Sequence, residues 1–178
     1  MSIQQTTRKT QDGNALVIRP PSVEDAADIH ELIAQCPPLE INSCYTYLLL
    51  STHFRTTCAV ALNQKRMAAF LGAYVIPEHK DTLFVWQIAV HTDFRGKGVG
   101  QLMLESLLNR EALSHLDYIE ATVAPSNLAS LVLFRRFASR HHSPFHVSSH
   151  FGQHLFRSKE HEEERLIRIG PLPPTRHS

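Results

Sequence analysis

The most informative stretch of the sequence is VWQIAVHTDFRGKGVG, residues 85–100. Residues 85–90 are mostly apolar and predict a buried strand, interrupted by one glutamine. Residues 98–109 are rich in leucine at spacings that suit one face of a helix. The stretch therefore predicts a strand that passes through a short glycine-rich turn into an amphipathic helix.

Within this turn, the residue types favour the binding of a phosphate-bearing ligand. Gly96, Gly98 and Gly100 let the backbone approach a ligand closely. The unpaired N–H groups of the first helical turn suit a pyrophosphate, and Arg95 and Lys97 add positive charge. The spacing fits neither a Walker P-loop nor a Rossmann fingerprint. Taken alone, the pattern also fits an ordinary tight turn.

The segments around the turn predict an α/β domain with a mixed sheet, because several antiparallel strands precede a β–turn–α–β–α series. The arm at residues 1–14 is polar, and we interpret it as flexible, with residues 15–178 forming a single domain. Strands are expected over 15–19, 57–62, 67–76, 82–90 and 118–123, with one or two more in 143–157 and 165–169. Helices are expected over 26–36, 98–109 and 127–139, and a further one within 39–54 with Asn42 or Ser43 as its cap.

Composition narrows the class of protein. The chain has 178 residues, 43% of them hydrophobic, and 18 Lys and Arg against 17 Asp and Glu. The near-neutral balance argues against a nucleic acid or an anionic membrane as partner. No apolar run could span a bilayer and no secretory signal is apparent, so we expect a cytoplasmic protein. Cys36, Cys44 and Cys58 lack CxxC spacing and are expected to be reduced.

Two motifs resemble the GNAT superfamily of N-acetyltransferases. Arg95 to Gly100 resembles its acetyl-CoA pyrophosphate loop, and TVAPSN at 122–127, followed by Leu133-Phe134, resembles the strand and helix that hold the pantetheine arm. The resemblance implies a GNAT fold, in which helices flank a mixed central sheet with splayed middle strands. It also implies acetyl-CoA as co-substrate without a metal. The implied acetyl-CoA contacts are Ile88, Val90, Arg95, Gly96, Lys97, Gly98, Val99, Gly100, Asn127 and Phe134.

Three further segments resemble the L-2,4-diaminobutyrate acetyltransferases of ectoine biosynthesis. They are CPPLEINSCYTYLLL at 36–50, FVWQIAV at 84–90 and EHEEERLIRIGP at 160–171. This resemblance implies acetylation of the 4-amino group of diaminobutyrate in a ternary complex, a role in osmoprotection and a homodimer. The sequence departs from the pattern twice. Glu40 replaces the family's usual Asp, and Phe134 stands where many GNAT enzymes have a Tyr that acts as general acid.

A diamino acid carries two ammonium groups and a carboxylate, so its pocket should present acids, hydrogen-bond donors and an aromatic wall. The candidate substrate contacts are Glu40, Asn42, Tyr45, Trp86, His161 and Glu164. Four of them are also candidate catalytic groups: Glu40, Tyr45, His161 and Glu164. Purely structural roles also remain open for these residues. Trp86 could belong to the hydrophobic core, and Tyr45 and Tyr47 could pack the second helix against it. Residues 160–164 could form an ordinary solvent-exposed surface.

Other functions also remain open at this point. The chain fits a GNAT enzyme for another small amine, or a non-catalytic module that binds acyl-CoA. The source of the proton for the departing thiolate is open among solvent, Tyr45 and Tyr47. Histidines recur every four residues from 142 to 154, but Pro144 and Gly152 favour a strand over a helix, and we expect no metal site there.

Overall fold

The computed structural model describes residues 5–156 and 161–173. The chain divides into two compact units, one formed by the residues up to Tyr74 together with Gln87–Ser114, the other by Val75–Trp86 and the residues from His115 onward. In chain order the elements are β1 (Thr6–Lys9), β2 (Ala15–Arg19), α1 (Ala26–Ala34), α2 (Cys44–Thr52), β3 (Ala59–Asn63), β4 (Arg66–Ile76), β5 (His79–Val90), α3 (Val99–Leu108), β6 (Tyr118–Val123), α4 (Leu128–Arg140), β7 (Phe145–Phe151) and β8 (Glu164–Ile169).

In the first unit, strands β1 to β4 follow one another in sequence order and pair antiparallel. The first of these strands differs from the sequence expectation, since Thr6–Lys9 lies in the predicted arm. It pairs with Ala15–Ile18 through a turn in which Gly13 has φ +85° and its N–H bonds to the Thr10 carbonyl at 3.0 Å. A short polar strand carries no apolar periodicity, so its pairing was not predictable from pattern.

A capping box formed by Ser22 and Asp25 directly precedes α1. The Ser22 N–H donates to the Asp25 carboxylate at 2.7 Å, and Arg19 binds both oxygens of that carboxylate at 2.6 and 2.8 Å. Arg19 thus ties the end of β2 to the start of the helix. Behind α1 and α2 lies the core of this unit, which includes Ile29, Ile33, Tyr47, Phe70 and Ala89. Burying each large apolar side chain of this kind stabilises the fold by about 1.5–3 kcal/mol.

A buried guanidinium joins the end of α3 to the connection between α2 and β3. Arg110 donates to the carbonyls of Thr56 at 2.6 Å and Cys58 at 2.8 Å. Burial lowers the pKa of Arg110 to about 10. The three elements are therefore held together by polar bonds inside the unit as well as by apolar packing.

The second unit contains the parallel part of the sheet. Thr82, Leu83 and Phe84 of β5 pair in parallel with β6, which pairs antiparallel with β8, and β8 pairs antiparallel with β7. The sheet is therefore mixed, as predicted. The two-strand alternative for the C-terminal region is confirmed, and β7 is exposed along nearly its whole length. No helix within the described residues is long and apolar enough to cross a membrane.

Candidate active site

The loop between β5 and α3 has the backbone geometry that its glycines predicted. Gly96 has φ +73° and Gly98 has φ +80°, a left-handed conformation that other residues adopt only with strain. Gly98 is the N-cap residue of α3. Gly100 differs, because it lies inside the first turn of the helix and has no positive φ. Two of the three glycines are thus required by conformation, and the N–H groups of the first α3 turn follow them directly.

The charged residues of this loop already have partners within the first unit. Lys97 Nζ lies 2.6 Å from the carboxylate of Asp12, and the Gln11 N–H donates to the Lys97 carbonyl at 3.2 Å. The Lys97 ammonium lowers the pKa of Asp12 to about 2. Arg95 Nε donates to the Val90 carbonyl at 2.9 Å. The turn between β1 and β2 therefore lies against the candidate pyrophosphate loop, which nothing in the sequence pattern indicated.

The segment from Cys36 to Glu40 is bonded to the C-terminal half of β5. Cys36 Sγ donates to the Val90 carbonyl at 3.5 Å, and Gln87 Nε2 donates to the Glu40 carbonyl at 3.0 Å. The Val90 carbonyl consequently accepts from both Cys36 and Arg95, so it is engaged within the protein. Glu40 itself is an exposed residue at this point of the chain.

Exposure separates the two tyrosines of α2. Tyr45 lies in the first turn of the helix and is 66% exposed, whereas Tyr47 is 0% exposed and belongs to the core cluster. The packing interpretation is thus right for Tyr47 and wrong for Tyr45. The Tyr47 hydroxyl donates to Gln87 Oε1 at 3.4 Å, which leaves this residue a structural role. Asn42 lies two residues before the helix begins at Cys44 and is half-buried.

In the second unit, Trp86 and Phe134 occupy contrasting environments. Trp86 is 40% exposed, so the core interpretation of this residue is wrong. Phe134 is 3% exposed and lies on the buried face of α4. Asn127 is the N-cap of α4, where its Oδ1 accepts from the Ser130 N–H at 3.1 Å. Its side chain therefore shapes the start of the helix that the resemblance assigns to the pantetheine arm.

The acidic tail lies beside this same helix start. The Ser126 N–H donates to the Glu162 carboxylate at 3.2 Å, and the Ser126 hydroxyl also bonds to that carboxylate. His161 stacks on Phe156 with ring centroids 3.7 Å apart, and its Nδ1 lies 2.7 Å from the Glu162 carbonyl. Since a carbonyl only accepts, Nδ1 is the donor in this contact. Glu162 was not among the candidate residues.

Glu164 begins β8, opposite Phe151 of β7. The preceding Glu160 lies outside the described residues. His146 and His150 lie on β7 rather than on a helix, as the sequence predicted. Over residues 5–156 and 161–173, no group of three or more His, Cys, Asp or Glu residues is arranged to hold a metal ion.

The structure thus places the candidates in two groups. The first unit contains the glycine loop and the Glu40–Tyr45 segment, in which the Glu40 carbonyl is bonded to Gln87 of β5. The second unit contains Trp86, Asn127, Phe134, His161 and Glu164. Sequence reasoning missed Gln87 and Glu162, which hold the candidate segments in place. Gln87 had a visible signal, because it is the one polar residue in the otherwise apolar run at 83–90. Glu162 had no signal of its own in the sequence, apart from lying near the candidates His161 and Glu164.

Comparison with known proteins shows the family to which the chain belongs. The family model for the acetyltransferase (GNAT) family matches residues 26–138. An L-2,4-diaminobutyric acid acetyltransferase from Halalkalibacterium halodurans is 42% identical over 166 residues, which cover 93% of this chain and 87% of that protein. The enzyme of the same name from Halomonas elongata is 40% identical over 162 residues, which cover 90% of this chain and 84% of that protein.

A solved structure extends the comparison to the fold. The diaminobutyrate acetyltransferase of Paenibacillus lautus, determined in complex with its substrate L-2,4-diaminobutyric acid and coenzyme A, is similar with a TM-score of 0.86 and 38% identity. The similarity covers 89% of this chain and 96% of that one. The expectation of a GNAT fold, with a mixed sheet flanked by helices, is confirmed. By sequence and by fold, the chain belongs to the L-2,4-diaminobutyric acid acetyltransferases of the GNAT family.

Proposed function

We propose that this protein transfers the acetyl group of acetyl-CoA to the 4-amino group of L-2,4-diaminobutyrate, giving N-γ-acetyl-diaminobutyrate for ectoine biosynthesis. The observation that carries the proposal is the β5–α3 loop, with positive φ at Gly96 and Gly98, in a chain of this family. In the reaction, the C–S bond of the thioester breaks and a C–N bond forms, while one proton passes from the neutral amine to the thiolate.

Acetyl-CoA supplies the acetyl thioester, and the residues of the loop fit its pyrophosphate. The N–H groups that follow Gly98 present donors at the positive end of α3, and Arg95 and Lys97 carry the compensating charge. We assign the pantetheine arm to the backbone of Ile88 in β5 and to the start of α4 at Asn127. The paired register of β5 with β6 covers only Thr82–Phe84, which supports a role for the later residues of β5 in such pairing.

The diamino acid is assigned to the acidic and aromatic candidates. Glu40 and Glu164 would bind ammonium groups, and Tyr45 and Asn42 would donate to or accept from the substrate's polar groups. The exposed indole of Trp86 would cover a cationic amine. His161, whose Nδ1 donates to the Glu162 carbonyl, would remove the proton from the reacting nitrogen.

A direct attack by the amine is favoured over a covalent acyl-enzyme. Cys36 and Cys58 are buried, and burial raises the pKa of the Cys58 thiol to about 11, which disfavours the nucleophilic thiolate. Cys44 is exposed in the first turn of α2. Replacing Cys44 with Ala should therefore leave turnover unchanged, and loss of activity in that variant would support an acyl-enzyme instead.

The test is incubation with acetyl-CoA and a panel of amines while thiol release is followed. We expect release with diaminobutyrate, and much slower release with ornithine, lysine and polyamines. Faster release with another amine would redirect the assignment to that substrate. No release above background with any amine, while acetyl-CoA still binds, would support the non-catalytic binding module.

We also propose that residues 15–178 fold as a single domain, because β4 and β5 each continue from one compact unit into the other. A single calorimetric transition is expected, and two separate transitions would contradict it. A homodimer in the cytoplasm, serving osmoprotection, is proposed from the family resemblance. The exposed apolar residues Val147 and Phe151 of β7 support an association surface, and light scattering gives the mass that tests it.

A further inference from the structure

A single polar side chain interrupts the buried face of β5. Leu83, Val85 and Ala89 alternate along this face and are buried, and Gln87 occupies the position between Val85 and Ala89 at 5% exposure. A buried amide requires hydrogen-bond partners, because leaving one without them costs about 1–3 kcal/mol. An apolar residue would fill this position without that requirement, so the partners of Gln87 indicate why an amide is here.

The Gln87 amide is bonded at one end to the backbone of Glu40, a candidate substrate residue, and at the other end to Tyr47 of α2. Its Nε2 donates to the Glu40 carbonyl at 3.0 Å, and its Oε1 accepts from the Tyr47 hydroxyl at 3.4 Å. Because Tyr47 is fully buried in the core cluster, its hydroxyl holds the Gln87 amide in one orientation. The bond to Glu40 joins residues 47 positions apart in the chain.

A second hydrogen bond between residues 36–40 and β5 restricts the position of the Glu40 backbone. Cys36 Sγ contacts the Val90 carbonyl, three residues further along β5 than Gln87, and the Leu39 side chain packs on the core cluster. The Leu39 N–H also bonds to the Cys36 carbonyl at 3.1 Å. The Cys36 contact holds the start of this segment at Val90, and the bond from Gln87 fixes its other end at Glu40, which is an exposed residue.

We propose that Gln87 is a positioning residue for the diamino acid: its amide fixes the Glu40 backbone on β5, so that the Glu40 carboxylate meets an ammonium group of the substrate. The inference rests on the proposed role of Glu40. Because Gln87 acts on a substrate contact and not on the loop that follows Val90, its loss should weaken binding of the diamino acid and spare that of coenzyme A.

The central variant is Gln87→Leu, which removes both bonds at similar volume. We expect the KM for diaminobutyrate to rise about tenfold, equivalent to about 1.4 kcal/mol. The kcat should stay within about twofold, because the contact contributes equally to ground-state and transition-state binding. Gln87→Glu retains the acceptor for Tyr47 but loses the donor to Glu40, and it should resemble Gln87→Leu. Tyr47→Phe removes only the bond to Gln87 Oε1 and keeps the bond from Gln87 Nε2 to Glu40, so it should have a smaller effect on KM.

A matched control separates positioning from loss of stability. Thr57 is also a buried polar residue of this unit, and its hydroxyl donates to the Ala73 carbonyl at 2.6 Å. Thr57→Val should lower Tm by an amount similar to Gln87→Leu and leave the KM for diaminobutyrate unchanged. An equal rise in KM for both variants would overturn the inference, as would a Gln87→Leu variant with an unchanged KM.

A double-mutant cycle with Glu40→Gln separates this inference from the proposed function. If Gln87 acts through Glu40, the double variant should have nearly the KM of Glu40→Gln alone. Additive effects would overturn the inference while leaving the role of Glu40 intact. If Glu40→Gln does not change the KM, the proposed substrate role of Glu40 fails, and the positioning role of Gln87 is overturned with it.

Discussion

Gly98 offers the sharpest test of the acetyl-CoA loop, because its conformation sets the size of the expected effect. It has φ +80° and ψ +7° at the N-cap of α3. Holding a non-glycine residue in the left-handed region costs about 1–2 kcal/mol. A Cβ atom at this position would also come 3.3 Å from the Gln11 amide nitrogen, the movable end of a flexible side chain, so the backbone cost dominates.

A variant loop will relieve this strain by leaving the left-handed conformation, and binding must then restore it. Gly98→Ala should therefore raise the Kd for coenzyme A by about 5- to 30-fold, as 1–2 kcal/mol requires. Gly98→Asn should have a smaller effect, because Asn tolerates this region. Gly98→Val should have a larger one, because a β-branched residue with positive φ is strongly strained.

Isothermal titration with coenzyme A measures these Kd values, and a melting curve reports the folded state. Thr57→Val is the control, since Thr57 is buried and its hydroxyl bonds to the Ala73 carbonyl, outside this loop. It should lower Tm by about 2–8 °C without a comparable change in affinity. Equal affinities for the Asn, Ala and Val variants of Gly98 would refute the assignment of this loop to the pyrophosphate.

Three further predictions address other contacts of the site and the core. Asp12→Asn removes the carboxylate that Lys97 binds, so the Kd for coenzyme A should fall about two- to fivefold at low salt and less at high salt, as titration at two ionic strengths would show. Burial raises the pKa of Cys58 from 9.0 to about 11, so the native state binds more protons than the unfolded state above about pH 9. Stability is therefore full below pH 9 and falls by up to about 1.4 kcal/mol per pH unit between pH 9 and 11, a slope that urea denaturation should find reduced in Cys58→Ala. Asn127→Ala loses the cap to Ser130 and should lower the unfolding free energy by about 1 kcal/mol in the same assay, whereas Asn127→Ser should keep the stability and change only coenzyme A affinity.

The sequence predicted the regular elements well because their apolar periodicity is local. The bounds of β2 and β6 agree with the expected ranges, and α3 begins within one residue of its expected start. Strand β1 was missed because four polar residues show no buried face, and its pairing depends on the turn that follows it. The glycine-rich turn was predictable for a different reason, since only glycine readily adopts the positive φ that Gly96 and Gly98 require.

The contacts that hold the candidate site were not predictable, because they join distant parts of the chain through polar groups. Gln87 reaches the Glu40 carbonyl, and the Glu162 carboxylate reaches Ser126 across 36 positions. Such bonds leave no spacing rule in a sequence. The pairing of Lys97 with Asp12 belongs to the same class, since it depends on where the β1–β2 turn lies.

The placement of the aromatic residues also decides which proton transfer this enzyme must assist. Phe134 carries no donor and Tyr47 is buried with its hydroxyl on Gln87, so Tyr45 and solvent remain to protonate the thiolate. That requirement is mild, because a thiol has a pKa of about 8.5 and water protonates its anion readily near neutral pH.

Deprotonating the amine is harder. A primary ammonium with a pKa of about 10.4 is neutral about once in a thousand molecules at pH 7.4, equivalent to about 4 kcal/mol. The carboxylates of Glu40 and Glu164 would stabilise the charged form and so oppose its deprotonation. They are suited to binding. His161, whose Nδ1 contacts the Glu162 carbonyl, is suited to accept the proton. The chemistry therefore separates the candidate groups into two acids that hold the diamino acid and one base that activates it.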